Sequence, residues 1–308
     1  MDTSLQQIVR RLALCAVAGA ALAGCAPAWL SPLEREHPLA GRILDARTGR
    51  YASRHDLLQR AAGARFVILG ETHDNPDHHR LQAEVLAAML RAGRAPALAM
   101  EQFDREHQAA LDQALQRGER DPERIADAGR FNRKGWGWPF YRPLVALAAV
   151  NRLPVLAANL SREDARALMR SGRSADGLGP APAPLRAALE RDIVEGHCGR
   201  RPPETVLSGM IEAQRGRDAL MASVMERAGN AGAVLIAGLG HARRDRGTPV
   251  HLSDEARGRL LVIAFIEVES GAADPVSYVR GDAAGSFDLV WFTPRAARED
   301  PCANPVLR

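Results

Sequence analysis

Phe66-Val67-Ile68-Leu69-Gly70-Glu71-Thr72-His73-Asp74-Asn75-Pro76-Asp77-His78-His79 holds a buried strand, a glycine turn, an acid, three histidines and a helix start in one short stretch. The apolar run 66–69 ending in Gly70 reads as a strand covered on both faces. Asn75 followed by Pro76 reads as a helix N-cap with proline at the first helical position. Glu71 and His73 then stand at the carboxyl end of a strand, where loops can close over a crevice without disturbing the packed layers of an α/β sheet. The glycine is expected to let the chain turn sharply out of the sheet, so that the histidine three residues on points back across the edge.

The pattern repeats outward from this stretch. Short apolar runs at 97–100, 155–157, 233–237, 260–266 and 287–292 alternate with helical patterns at 76–91, 105–117, 143–151, 162–170, 184–195 and 203–228. Residues 42–45 and the Thr48-Gly49 turn suggest a small hairpin ahead of a short helix at 55–62. Such alternation implies an α/β fold, a mainly parallel sheet flanked by helices. Between about 160 and 230 the pattern is helical without a convincing strand, which predicts a smaller helical subdomain over the carboxyl edge of the sheet. Polar residues follow four of the strands: Glu71 and His73, then Glu101, Asn159 and His241, the last in Gly238-Leu239-Gly240-His241. Each alone has a structural explanation, since strand ends are polar. Parallel strands would put all five on one edge, with the Gly-x-x-His spacing used twice, and a shared site is expected there.

The amino terminus gives a compartment. Arg10 and Arg11 precede an apolar stretch, 12–23, shorter than the roughly 20 residues a membrane-spanning helix needs, and so read as a secretion signal. Leu22-Ala23-Gly24-Cys25 has a lipobox pattern, predicting a leader at 1–24, acylation of Cys25 and a tether over 25–40; the alternative is an ordinary secretory signal. Ala26 after the cysteine points to the outer membrane, with the body on its periplasmic face and the lipid as anchor. The main domain is expected over 41–302 and a tail over 303–308. A hydrophobic content of 46% in 308 residues supports a full core. The net charge of +4 comes from scattered arginines, not a basic stripe, which argues against nucleic acid. Of the four cysteines, Cys15 leaves with the leader, and Cys198 and Cys302 remain for the body. In an oxidising compartment these two are expected to pair; a metal-ligand role for Cys198 beside His197 is the alternative.

The ordered set Gly70-Glu71-Thr72-His73-Asp74-Asn75, His78-His79, Gln82, Glu101-Gln102-Phe103, Tyr141-Arg142-Pro143-Leu144, Ala158-Asn159, His197-Cys198-Gly199, Gln214-x-x-Arg217-Asp218-x-x-Met221-Ala222 and Gly238-x-x-His241-Ala242-Arg243 resembles the ChaN-like haem-binding lipoproteins. These belong with the Tiki proteases and erythromycin-esterase-like proteins in one superfamily. The resemblance spans about 40–302 and implies haem binding at the outer membrane as part of haem and iron uptake. It also implies a homodimer formed around haem, exchange with an outer-membrane haem receptor or transporter, and a tyrosine as axial ligand. A phenolate is a hard donor that favours ferric iron. Among Tyr51, Tyr141 and Tyr278, Tyr141 is the candidate, with Trp136, Trp138 and Phe140 as a wall and Arg133, Lys134 and Arg142 for the propionates. His78 and His79 are the alternative ligands. The Tiki branch implies a competing reading: a divalent-metal peptidase or hydrolase in which His73, His241, Glu71 and Glu101 hold zinc, manganese or iron and a carboxylate serves as base. A third reading, a lipoprotein that only docks a partner, leaves the acid and histidine set unexplained.

Overall fold

Alternation along the strands decides what each face of this molecule carries. The computed structural model describes residues 28–303 apart from Asp176; the leader, the lipobox and Cys25 lie outside the described residues, as does the tail beyond 303. The chain opens with a hairpin, β1 (Ile43–Asp45) and β2 (Arg50–Ala52), and helix α1 (Arg54–Gly63), whose Ser53 and Asp56 form a reciprocal capping box. Next come β3 (Phe66–Glu71) and α2 (Pro76–Arg91), which begins at the expected Asn75 cap: the Asn75 side chain accepts from the backbone of Asp77 and His78. The chain continues with β4 (Ala97–Asp104), α3 (Gln108–Gln116), α4 (Pro122–Ala128), α5 (Trp138–Val150) and β5 (Val155–Asn159). Three helices follow without a strand, α6 (Arg162–Ser171), α7 (Ala183–Gly196) and α8 (Glu204–Arg227). The remainder is β6 (Ala233–Gly238), the one-turn α9 (Leu239–Ala242), α10 (Asp254–Gly258), β7 (Leu260–Glu267) and β8 (Leu289–Thr293).

The eight strands form one sheet in the order β2-β1-β8-β7-β3-β6-β4-β5, parallel except for the β1 pairings with β2 and β8. From β3 the chain moves outward to β4 and β5, returns to insert β6, then crosses to β7 on the other side of β3. The reversal puts a crevice at the carboxyl ends of β3 and β6, where ligands bind in open α/β sheets. Every residue of β3 and β6 is buried, as expected for strands covered on both faces.

Phe66, Ile68, Leu235, Ala237 and Val262 share one core with Met221, Ala222 and Met225 of α8. Val67 and Leu69 have the opposite parity and face the side of α2 and α5, which pack against each other; Leu86 and Met89 of α2 and Leu144 and Val145 of α5 are buried. The helical segment 160–230 has two roles. The second half of α8 belongs to the main core, while Leu189 of α7 with Leu207 and Ile211 of α8 form a small separate cluster.

Three features depart from the expectations. Helix α5 starts at Trp138 instead of 143, because Pro139 occupies its first turn and Pro143 is accommodated inside the helix. Helix α4, short and led by Pro122, was not anticipated. Residues expected to belong to the tether are docked on the body: Ser31 is buried with its backbone N–H on Asp77 and its hydroxyl on Asn75, and Leu39 joins the core. Cys198 and Cys302 form the expected disulfide. Among the described residues no helix is long and apolar enough to cross a membrane.

Candidate functional site

Parity sorts the strand-end residues into two groups on opposite faces of the sheet. Glu71 has the parity of Val67 and Leu69 and so points toward α2 and α5; Gly238, its register partner on β6, shares that side. Glu101 has the parity of Ala97 and Ala99, which lie in the core beneath α8. Between Met100 and Asp104 strand β4 advances four residues while β5 advances two, from Ala157 to Asn159, so an irregularity re-aims Glu101 and Gln102 at the strand end.

On the α2 side, the buried Glu71 carboxylate gathers several polar partners. Its Oε1 accepts from the Tyr141 hydroxyl at 2.5 Å and from His73 Nδ1 at 2.9 Å, with Gln102 Nε2 at 3.4 Å. Its Oε2 accepts from Gln82 at 2.6 Å, and His79 Nδ1 lies 3.2 Å away without hydrogen-bond geometry. Burial works against this charge, yet the His79 charge and the hydrogen bond from His73 hold the carboxyl well below its ordinary range. Burial and the adjacent Glu71 charge push the Tyr141 phenol far up, so it stays neutral. Burial disfavours a charged His73, but its bond to Glu71 and the charges of Glu101, Glu71 and Asp74 outweigh that and raise its pKa to about 9. The His73 side chain is 42% exposed, its Nε2 has no hydrogen-bond partner among the described residues, and its ring meets the edge of Trp136 at 4.8 Å between centroids.

On the α8 side, Asp218 accepts from His241 Nδ1 at 2.7 Å and from the Thr248 hydroxyl at 3.3 Å, with Gln214 beside both. His241 Nε2 faces Glu101 Oε1 at 3.6 Å, and Glu101 Oε2 accepts from the Gly238 backbone N–H at 2.7 Å. Burial opposes a charge on His241, and the flanking carboxylates of Asp218 and Glu101 override it in the upward direction. The two groups touch where Glu101 and Gly238 meet His73.

The glycines of the paired motifs have a function the spacing did not reveal. Neither has the positive φ of a sharp turn. A Cβ on Gly70 would lie 2.7 Å from the Cβ of Ala242 in the second motif, and one on Gly238 would lie 2.9 Å from Nε2 of His73 in the first. Each glycine makes room for the other motif.

The structure therefore brings together Glu71, His73, His79, Glu101, Tyr141 and His241, with Asn159 nearby at the end of β5. His78 lies apart: its Nδ1 accepts from the Thr72 N–H and its Nε2 meets Thr293 at 2.8 Å, and burial together with the His79 charge pushes its pKa down to about 3. His79 is buried between Phe140 and Tyr141, with Nε2 on the His73 carbonyl. Tyr141 is fully buried. Each of these three rings is enclosed and engaged with the protein here, so to serve as an axial ligand each would first have to be released. Arg142 and Arg133 are also spoken for, bonded to Glu123 and, for Arg133, to Asp127. Trp138 is no open wall, being 7% exposed with its indole N–H on Glu123. No three of His, Cys, Asp and Glu converge in a metal-holding arrangement among the described residues. Sequence reasoning gave no role to Gln82, Gln102, Gln214 or Asp218, although each falls within a quoted motif; the spacing of Gln214 and Asp218, one turn apart on a helix, was the available signal.

Comparison with known proteins bears on this geometry. The ChaN protein of Campylobacter jejuni, solved with cofacial haem, has this fold: TM-score 0.68, 22% identity, with 81% of this chain and 95% of that one covered. An erythromycin esterase in its open conformation aligns at TM-score 0.47 and 13% identity over 85% and 99% of the two chains. A type III effector aligns at 0.43 and 14% over 77% and 91%. A search of curated proteins finds no match. The family model described as haem-binding uptake, Tiki superfamily, ChaN matches residues 57–252, from α1 to the segment before α10, and includes every strand-end residue of the site. On that match the chain belongs to the ChaN haem-binding uptake family of the Tiki superfamily.

Proposed function

We propose that this protein carries haem at the bacterial envelope as one step of haem and iron uptake. The family match over 57–252 is the observation that supports it most. In this reading Cys25 is the acylated anchor, the body sits on the periplasmic face of the outer membrane, two protomers enclose the haem, and an outer-membrane receptor or transporter exchanges it. Among the four ring donors of the motif region and α5, His73 is the one with a free nitrogen at an accessible edge. Its Nδ1 bond to Glu71 orients the ring and, once haem iron displaces the proton that the raised pKa keeps on Nε2, strengthens that nitrogen as a donor, as carboxylate–histidine pairs do in metal sites; Trp136 offers an aromatic edge to a porphyrin. Haem here is cargo.

The test is a hemin titration of the full chain in detergent, read by Soret absorbance, with His73→Ala and Tyr141→Phe alongside. Saturable binding lost in His73→Ala and kept in Tyr141→Phe is the expected result. Loss in Tyr141→Phe with high-spin phenolate bands would move the ligand to Tyr141 and require Glu71 to release it. Absence of saturable binding in the unmodified chain would sink the haem reading.

A further inference from the structure

A polar cavity of about 440 Å³ opens beside the site, lined by Gln102, Asp104, Arg130, Asn159, Arg162 and Arg217 among others, a volume typical of small-molecule sites. Its arginines differ from others nearby. Arg105, Arg133 and Arg142 are each paired with a carboxylate. The guanidinium groups of Arg130, Arg162 and Arg217 make no hydrogen bond or ion pair among the described residues. Asp104 is the acid in this lining; Arg162 and Arg217 act on its charge at longer range, and with three arginines to one acid the wall keeps an excess of positive charge. Leu160 and Arg162 bring the amino-terminal turn of α6 to the same wall, and the positive end of a helix adds to the field there.

A second observation is independent of charge. The Oε1 of Gln102 and the Oδ1 of Asn159 are buried oxygens without a hydrogen-bond partner, and both residues line the cavity. Gln102 is 3% exposed, and its amide orientation is set by its Nε2 lying toward Glu71, since the opposite orientation would oppose two oxygens. Two orphaned acceptors beside unpaired guanidiniums call for a ligand with an anionic group and a hydrogen-bond donor.

We propose that this cavity is a second ligand site, for a small oxyanion that also carries a hydroxyl group, as hydroxy acids and sugar phosphates do. Arg130, Arg162 and Arg217 hold the anion, and the Gln102 and Asn159 amides, whose oxygens are closed to solvent as they stand, turn toward the cavity to accept from the hydroxyl. Trp136, which lines the cavity and meets His73, forms the partition between this site and the proposed haem mouth. The inference does not rest on the haem reading, because a haem propionate supplies the anion but no hydroxyl donor.

The experiment is calorimetric titration of the full chain in detergent with citrate and with tricarballylate, its analogue lacking the hydroxyl, using the wild type, Arg162→Gln, Arg217→Gln and the double variant. Citrate is expected to bind saturably and to raise Tm. Each single variant should weaken it roughly tenfold, and tricarballylate should bind roughly tenfold more weakly than citrate. No citrate binding by the wild type, or binding unchanged in the double variant, overturns the site. Equal affinity for the two acids overturns the role of the amide oxygens. Hemin titrations on the same proteins separate the sources of the anion. Unchanged hemin binding in the variants fits two sites, whereas loss of hemin binding without any citrate binding assigns the arginines to haem propionates and overturns this proposal while leaving the haem reading intact.

Discussion

The two Gly-x-x-His motifs have the same spacing and end in different surroundings. His73 follows β3 into an open loop, keeps one ring nitrogen free and is partly exposed; His241 sits in the single turn of α9, 8% exposed, with carboxylates against both nitrogens. The difference comes from one residue of strand parity. Glu71, the acid that orients the first histidine, faces α2 and α5, while the acids around the second belong to the α8 face. What the motif conserves in space is the reciprocal clearance of the glycines. The lesson is that a repeated motif can mark two halves of one interlocked site instead of two equivalent ligands.

Breaking the halves separately gives the largest expected effects. Glu71→Leu strands Tyr141, His73, His79 and Gln82 around an apolar side chain and should cost about 3–5 kcal/mol of stability in chemical denaturation. Asp218→Leu should cost less, because Glu101 remains on the other side of His241. Equal costs would mean that the two halves are not built differently. Glycine replacements sharpen the comparison at a smaller scale. Gly70→Ala pushes a methyl into the Cβ of Ala242 and against the side-chain Cδ1 of Leu239 and should lose about 1–3 kcal/mol. Gly238→Ala meets only the tip of His73, which can swing away, so its main effect should be a displaced imidazole resonance with little change in Tm. A Gly238→Ala protein as unstable as Gly70→Ala would contradict that asymmetry.

The smallest effect is in pH dependence. With a folded pKa raised to about 9 from an ordinary 6.5, His73 contributes stability that is complete below about 6.5 and is lost as pH rises through about 9. Partial exposure damps the contribution. His73→Gln should therefore flatten a small part of the alkaline fall in stability, and an NMR titration should find the imidazole charged at neutral pH; a midpoint below 6.5 would refute the Glu71 pairing. His78 has the opposite sign. Its depressed pKa of about 3 means that stability is lost as pH falls from 6.5 toward 3, a slope that His78→Asn should reduce.

Much of this was legible in the chain. The strands could be read because buried parallel strands are short, apolar and bounded by glycine or charge, and α2 could be read because Asn75-Pro76 declares its own start. The convergence of Glu71, Glu101, His73 and His241 followed from placing each after a strand. Three things were not legible. The start of α5 was obscured because two prolines, Pro139 and Pro143, offered two first-turn positions and only packing chose between them. The burial of Tyr141 depends on how α5 packs against α2, a long-range contact that no local pattern encodes. The unpaired state of Arg217 against the paired state of Arg142 is decided by whether an acid from elsewhere in the chain arrives, as Glu123 does for Arg142.

The Cys198–Cys302 bridge has a consequence for how the protein withstands proteases. It closes a loop with a sequence separation of 104 residues, containing α8, β6, β7 and β8 and hence the second motif entire. A single cut anywhere inside that loop leaves two pieces still covalently joined, with strands on both sides of the cut held in the same sheet. A protease cut in the largely exposed 269–285 region would nick the molecule without releasing half of its site, and the nick would appear on a gel only after reduction.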